Sequence, residues 1–116
     1  MEVTVAAKLE SLIESRFCRY AARFDIDAIK IYKRGWPDRL VSLKNGYGFY
    51  IEFKGPNGEI QLVQAHVHRC LRKKGFHVYI CDNFEDAVTI LNYELEHYNT
   101  DTFLSYDDVS SVLHEV

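Results

Sequence analysis

The chain has 116 residues, of which 47% are hydrophobic and 27% charged, and its formal net charge is −3. This length suits one compact domain, and the composition excludes a disordered, collagen-like or coiled-coil chain. No apolar run approaches the roughly 20 residues that span a bilayer, and the start of the chain lacks the features of a secretory signal. We therefore expect one domain over residues 1–116, with its core near residues 9–98 and a C-terminal tail at 99–116.

Charge is distributed unevenly along the chain. Residues 1–74 hold all 14 Lys and Arg residues against 8 acids, and residues 75–116 hold the other 9 acids and no base. This asymmetry suggests that the first two thirds contact a polyanion. The alternative is that the charges mix in space and bind nothing anionic.

The three cysteines are Cys18, Cys70 and Cys81, which form neither a CxxC pair nor an even set. This spacing argues against a disulfide framework or a zinc site. We expect three reduced and mostly buried thiols in a cytoplasmic protein.

The first half of the chain predicts one helix and three strands. Apolar residues recur at helical spacing in the opening stretch, at Leu9, Leu12, Ile13, Phe17, Tyr20, Ala21 and Phe24. A short half-buried strand follows, in which Ile29 and Ile31 alternate with polar neighbours. Residues 40–43 and 48–54 are predicted as two strands, joined across an Asn-Gly pair that is typical of hairpin turns.

The second half predicts a helix, a strand and another helix. The first helix presents Leu62 or Val63, Val67, Cys70 and Leu71, and it ends at Gly75. Residues 76–81 predict a buried strand, parallel to the preceding one through the helical crossover. Asn83 and Asp86 resemble a capping box for a helix with Phe84, Ala87, Val88, Leu91 and Leu95 on one side. Residues 105–114 predict one or two further helical turns. The order αβββαβα plus a tail indicates an α/β fold, with a mixed sheet flanked by helices.

The strand at residues 48–54 carries an unusual pair of charges. Side chains alternate along a strand, so Glu52 and Lys54 share the face opposite to that of Phe49, Ile51 and Phe53. A carboxylate and an ammonium group there are costly to desolvate unless they are paired or bound to a metal ion. Taken alone, such a pair is far more often an ordinary cross-strand salt bridge on an exposed face.

Asp38 begins the partner strand, and the hairpin returns it toward Glu52. A two-residue loop would place Asp38 on the wrong face of the sheet. A three-residue loop at 45–47 pairs Asp38 with Lys54 and Leu40 with Glu52. We predict this register, or a bulge with the same effect, so that the two carboxylates and the lysine converge.

Two neighbouring carboxylates repel each other unless a proton or a cation lies between them. Hard oxygen ligands suit Mg²⁺ or Mn²⁺, which polarise a phosphoryl oxygen and lower the pKa of a bound water. Lys54 beside such an ion is placed to orient the water or to stabilise negative charge on phosphorus. The set therefore indicates phosphodiester hydrolysis. His66 and His68 lie two apart on a helix, hence on different faces, which argues against a metal site formed by that pair.

Four segments resemble one known family. They are Gly-Trp-Pro-Asp-Arg at 35–39, Glu-Phe-Lys-Gly-Pro at 52–56, Gln64 in the next helix, and Lys-Gly-Phe-His-Val at 74–78. In this order they resemble the virus-type replication-repair nuclease (VRR-NUC) domain of the PD-(D/E)XK superfamily. The resemblance covers about residues 13–88 and implies a restriction-endonuclease-like core.

The resemblance implies roles for the residues that match the family's central motif. Asp38 and Glu52 match its metal ligands, with the backbone carbonyl of Phe53 as a third. Lys54 matches the catalytic lysine, and Gln64 matches a helix glutamine near the metal ion. The implied cofactor is Mg²⁺ or Mn²⁺, and no nucleotide cofactor is implied.

The resemblance also implies outlying site residues. Glu14 matches a first-helix acid that acts in catalysis and contacts the metal ion through water, with Glu10 one turn earlier as the alternative. Lys30 matches a strand lysine near the site. Trp36 departs from the small apolar residue usual at its position. The residues expected to contact DNA are Arg16, Arg19, Lys30, Lys33, Arg34 and Arg39.

The implied activity is metal-dependent DNA cleavage. Free-standing members of about this length resemble homodimeric nucleases of bacteria and phages that cut four-way (Holliday) junctions, and twofold symmetry suits paired nicks. This implies a cytoplasmic location, in a bacterial cell or a phage-infected host, and no membrane partner. The segment after Gly75 is expected to form the dimer surface or to cap the core. The alternatives are a flap, nick or sequence-directed nuclease, and a silent nuclease-fold module that binds DNA or protein.

Overall fold

A computed structural model describes residues 5–98, and the turns expected at 105–114 lie outside them. Its helices and strands follow the predicted order αβββαβα. They are α1 (Val5–Ala22), β1 (Asp27–Lys30), β2 (Arg39–Ser42), β3 (Gly48–Phe53), α2 (Leu62–Lys73), β4 (Val78–Cys81) and α3 (Phe84–Tyr98). Within this part of the chain, no helix combines the length and apolar character that a membrane span requires.

The four strands form one mixed sheet in the order β1-β2-β3-β4. The first two pairings are antiparallel, and β3 and β4 are parallel, as the helical crossover predicted. The prediction of a buried last strand over 76–81 was too broad. The strand begins at Val78, and Ile80 is 43% exposed. In the described sheet β4 has a neighbour on one side only, which accounts for its half-buried pattern.

The hairpin between β2 and β3 has a different register from the predicted one. Leu40 pairs with Tyr50 rather than with Glu52, and the loop is a 3-10 turn at Lys44–Gly46. Gly46 has a φ of 72°, the left-handed conformation that a three-residue hairpin loop needs at its last position. This requirement places the loop one residue earlier than expected. The pairing therefore shifts by two residues, which leaves every side chain on its predicted face.

The two faces of β3 pack against different helices. Phe49, Ile51 and Phe53 are fully buried in the larger cluster, together with Phe17 of α1 and Leu91 of α3. Burying a side chain of this size stabilises the fold by about 1.5–3 kcal/mol. On the other face, a smaller cluster is formed by Tyr50, Leu71 and Val78. Since side chains alternate, Glu52 lies on this second face, beneath α2.

Some apolar residues expected on helix faces are exposed instead. In α1 the stripe that faces the core consists of the buried Phe17 and Ala21 with the partly buried Ile13. Leu12 is 61% exposed because it lies about 100° around the helix from Ile13. Leu9 and Phe24 are also exposed, as are Leu62 and Cys70 on α2. The prediction of mostly buried thiols was therefore wrong. Of the three free cysteines, Cys81 is buried and Cys18 is half-buried.

A side-chain cap begins α3, and a buried carboxylate further along the helix joins it to the sheet. Asn83 caps the helix, because its Oδ1 accepts a hydrogen bond from the Asp86 backbone N–H at 2.8 Å, as the capping pattern predicted. Further along, the fully buried Glu94 uses Oε1 to accept a hydrogen bond from the Tyr79 hydroxyl at 2.5 Å. Nδ1 of His77 lies 2.6 Å from the same oxygen. These contacts tie α3 to β4.

Candidate active site

The turn before β2 brings Asp38 opposite Glu52. Arg39, the first residue of β2, pairs with Ile51 of β3. Asp38, just before the strand, therefore lies opposite Glu52. Asp38 Oδ2 accepts a hydrogen bond from the Phe53 backbone N–H at 2.8 Å. The backbone carbonyl of Asp38 accepts another from the Ile31 N–H at 2.9 Å. Asp38 is thus anchored on both sides, and it shares the face of Glu52 as predicted.

The same turn packs tightly against α2. Gly35 has a φ of 83°, and a Cβ atom added to it would lie 2.9 Å from Val63 Cγ2 and 3.0 Å from Val67 Cγ2. Only glycine combines this backbone conformation with so close an approach. Pro37 is fully buried in the next part of the turn. The turn that precedes Asp38 is thereby held against the helix that carries Gln64.

Glu52 is a buried carboxylate with a strongly shifted pKa. It is 2% exposed. Burial, the hydrogen bond with Asp38 and the charge of Asp38 raise the pKa of Glu52 to about 8, although the charge of Lys54 lowers it. The Glu10 charge raises it further. Glu52 therefore keeps its proton near neutral pH when no cation is present.

Gln64 connects the lysine, the glutamate and the start of α2. Its Oε1 accepts hydrogen bonds at 3.0 Å from Lys54 Nζ and from the backbone N–H of Gln61, the residue that caps α2. Its Nε2 donates to Glu52 Oε1 at 3.4 Å. The structure thus places Gln64 beside Glu52 and Lys54.

His68 also contacts Glu52, and the sequence analysis missed it. The ring is 1% exposed, and its Nε2 lies 3.5 Å from Glu52 Oε1. Burial lowers the pKa of His68, and the charges of Arg72 and Lys54 lower it further, so the ring is neutral. The sequence feature that places His68 at the site is its spacing from Gln64, because residues four apart lie on the same face of a helix.

Glu14 lies in an ion cluster with two basic residues. Its Oε2 is 2.8 Å from Lys30 Nζ and 2.7 Å from Arg39 Nε. Burial would raise the pKa of Glu14, but the hydrogen bonds and charges of Lys30 and Arg39 outweigh it and lower that pKa. Lys30 Nζ also lies 3.8 Å from Asp38 Oδ1. Lys30 therefore connects the Glu14 cluster to Asp38 of the carboxylate pair.

Glu10, the alternative first-helix acid, lies at the end of β3. Its Oε2 accepts a hydrogen bond from the Gly55 backbone N–H at 3.3 Å. Gly55 allows this approach, because an added Cβ atom would lie 2.3 Å from the Ala6 backbone oxygen. The charge of Glu10 contributes to the raised pKa of Glu52.

The residues expected to contact DNA fall into two groups. Lys30 and Arg39 already donate hydrogen bonds to Glu14 within the protein. Arg39 Nη1 also donates to the Ala28 carbonyl at 3.0 Å. Lys33 and Arg34 are exposed in the turn that leads to Asp38, and Lys33 Nζ lies 4.9 Å from the Trp36 ring centroid. Arg16 and Arg19 are exposed on α1, where the Arg16 guanidinium lies 3.9 Å from the Phe84 ring centroid.

The residues near Glu52 fit a hard cation with few protein ligands. Within residues 5–98, no group of three or more His, Cys, Asp or Glu side chains is arranged to hold a metal ion. Asp38 and Glu52 still supply two carboxyl groups in contact, and a cation between them would replace the proton that the raised pKa keeps on Glu52. Mg²⁺ is commonly held by one or two carboxylates, waters and substrate phosphates. The donor set therefore suits such an ion.

Two solved structures resemble the chain. A structure described as "VRR_NUC domain" has a TM-score of 0.60 and 22% sequence identity, over 78% of this chain and 97% of its own. A second, described as "VRR_NUC domain protein", has a TM-score of 0.63 and 17% identity, over 75% of this chain and 88% of its own. No protein-family model and no curated protein sequence matches the chain.

The topology and these similarities define the class of fold. The mixed sheet, with α1 and α3 on one face and α2 on the other, is a restriction-endonuclease-like α/β core, as predicted. More particularly, the chain has the VRR-NUC fold. The resemblance drawn from the sequence motifs is confirmed at the level of the fold.

Proposed function

We propose that the chain is a Mg²⁺- or Mn²⁺-dependent DNA endonuclease that cleaves branched DNA, with four-way junctions as the favoured substrate. The observation that carries the proposal is the contact of Asp38 with Glu52 beside a Lys54–Gln64 pair, within a nuclease fold. The two acids, the ammonium group of Lys54 and the helix glutamine Gln64 thus lie together at one place on the sheet.

In the proposed site, Asp38, Glu52 and the Phe53 carbonyl hold the metal ion. Once bound, the ion supplies Lewis-acid polarisation of the phosphate and a water of lowered pKa. Lys54 is held by Gln64 at 3.0 Å, which keeps its ammonium group beside the acids. From there it orients the attacking water or stabilises the negative charge that develops on the phosphate oxygens.

The basic residues outside this centre are proposed to hold the DNA backbone. Lys33 and Arg34 are exposed in the turn before Asp38, and Arg16 and Arg19 are exposed on α1. Such contacts carry no sequence information, so they suit an enzyme that selects DNA by shape. Lys30 and Arg39, whose donors bind Glu14, are proposed to support the site at closer range.

A homodimer is proposed because junction resolution requires two nicks in opposing strands. In the segment after Gly75, the large apolar residues Phe76, Ile80 and Tyr93 are 43–45% exposed. These exposed apolar residues support a subunit contact, and the segment that carries them contains no Lys or Arg. Light scattering should give twice the chain mass of 13.6 kDa.

The proposed activity is tested with end-labelled four-way junctions, flaps, nicked duplex and plain duplex. Each is incubated with Mg²⁺, Mn²⁺ or a chelator, using the wild type and Lys54→Ala. We expect paired nicks in the junction only, in either metal, and their loss in the variant at unchanged DNA binding. Cleavage of flaps or of a defined sequence would redirect the substrate assignment. Binding without cleavage in either metal would establish a silent module.

The two first-helix acids are expected to behave differently when each is replaced by glutamine. Glu10→Gln should weaken Mn²⁺ binding by about three- to tenfold, because Glu10 adds negative charge near Glu52. Glu14→Gln should leave Mn²⁺ binding within about twofold but lower the free energy of unfolding by about 1–2 kcal/mol, because Lys30 and Arg39 lose a shared partner.

Calorimetric Mn²⁺ titration and thermal melting of both variants provide these two readouts. A larger loss of Mn²⁺ affinity in Glu14→Gln than in Glu10→Gln would assign the metal-facing role to Glu14, as the family resemblance implied.

A further inference from the structure

His68 is a buried polar side chain whose hydrogen-bonding capacity is unused. In the described part of the chain, neither ring nitrogen has a hydrogen-bond partner, and the ring is 1% exposed. An unsatisfied buried polar group lowers the stability of the folded state. A leucine at this position would avoid that cost, so the histidine needs another explanation.

The nearest candidate partner of His68 is an oxygen of Glu52. Nε2 of His68 and Nε2 of Gln64 lie 3.5 Å and 3.4 Å from the same atom, Glu52 Oε1. Both distances exceed the usual 2.9–3.0 Å of an N–H···O bond. His68 and Gln64 are therefore placed on α2 to hold the same carboxylate oxygen.

We propose that His68 is a positioning residue, which together with Gln64 holds Glu52 Oε1 and leaves Oε2 for the metal ion. The inference rests on the proposed function, because it concerns Glu52 as a ligand of the metal ion. His68 would donate from Nε2 to Oε1 of Glu52, which lies 3.5 Å away in the buried site. Outer contacts of this kind commonly change metal affinity by about 10- to 100-fold.

The test compares His68→Leu with His68→Gln. Leucine fills the site without a donor, whereas glutamine carries an Nε2 amide donor at a similar distance from the helix. His66→Leu is the matched control, because His66 lies on the same helix but is exposed. Two properties are measured for each protein: the Mn²⁺ dissociation constant by calorimetry, and the melting temperature in chelator.

We expect His68→Leu to weaken Mn²⁺ binding by about tenfold or more and His68→Gln to restore it to within about threefold of wild type. His66→Leu should bind Mn²⁺ like the wild type. In chelator, His68→Leu should melt at or above the wild-type temperature, because an unsatisfied polar group has been removed. If the histidine were purely structural, His68→Leu would bind Mn²⁺ like the wild type and would melt at a lower temperature. If leucine lowers the melting temperature, His68→Met provides a second variant without a donor.

Equal Mn²⁺ affinity in the wild type and the folded donor-free variant would overturn the inference. So would a glutamine variant as weak as the leucine variant, since a donor would then have no effect. These outcomes leave the proposed function intact if the wild type binds Mn²⁺ and cleaves DNA. A wild type that neither binds Mn²⁺ nor cleaves DNA would contradict the proposed function and this inference together.

Discussion

Asp38→Asn is expected to lower the rate of metal-dependent cleavage by about a thousandfold, since metal stabilisation of transition-state charge is worth several kcal/mol and about 1.4 kcal/mol is a factor of ten. The fold should survive, because the asparagine carbonyl can still accept the hydrogen bond from the Phe53 backbone N–H. DNA affinity should stay within about threefold of wild type or increase, because a negative charge is removed. Single-turnover cleavage and fluorescence anisotropy measure the two effects.

Asp25→Asn is the matched control for this substitution. Asp25 is exposed before β1 and has a φ of 59°, a left-handed conformation that asparagine also tolerates. Asp25 lies near the end of β1 that is remote from Asp38, so the Asp25→Asn protein should cleave DNA at the wild-type rate. An Asp38→Asn protein that cleaves at more than about a tenth of the wild-type rate would remove Asp38 from the metal-ligand set.

Glu52→Gln is expected to abolish cleavage to a similar extent and to change how stability depends on pH. The pKa of Glu52 is raised to about 8 in the folded protein, from an ordinary value of 4.5. Between these values the folded state keeps a proton that the unfolded state has lost, so the free energy of unfolding falls as pH rises. In chelator, the wild type should therefore lose stability from about pH 4.5 toward pH 8, and Glu52→Gln should lack this loss.

At pH 8, metal ions should reverse the order of stability of the wild type and Glu52→Gln. Mn²⁺ binds only the folded wild type in this account, so it should raise the wild-type melting temperature and leave that of Glu52→Gln unchanged. Glu96→Gln serves as the control, because Glu96 is an exposed acid on α3. Thermal melting from pH 5 to 8, with chelator and with Mn²⁺, gives both comparisons. A wild type whose stability rises over this range in chelator would contradict the shifted pKa.

The element order was predictable because each element carries a clear local signal. Periodicity identified the three helices, and the crossover through α2 required β4 to lie parallel to β3. The hairpin register was not predicted correctly, since it depended on which loop position takes the left-handed conformation. Gly46 occupies the last position, not the middle one. The face of Asp38 was correct because the error was an even number of residues.

The site was less predictable where it depends on how helices are rotated. His68 was judged against His66 rather than against Gln64, four residues earlier, so its place beside Glu52 was missed. Glu10 and Glu14 lie one turn apart on the same side of α1, and sequence alone does not separate them. Their positions relative to Gly55 and Lys30 are tertiary contacts, which no local pattern encodes.

The central claim is that Asp38 and Glu52 together hold one divalent ion beside Lys54. The most direct measurement is anomalous diffraction from crystals grown with Mn²⁺ at a concentration that saturates cleavage. The account predicts an anomalous peak bound by one oxygen of Asp38 and one of Glu52, at roughly the 2.0–2.2 Å typical of small divalent ions with oxygen ligands. An empty map between these carboxylates, or an ion bound elsewhere on the chain, would contradict it.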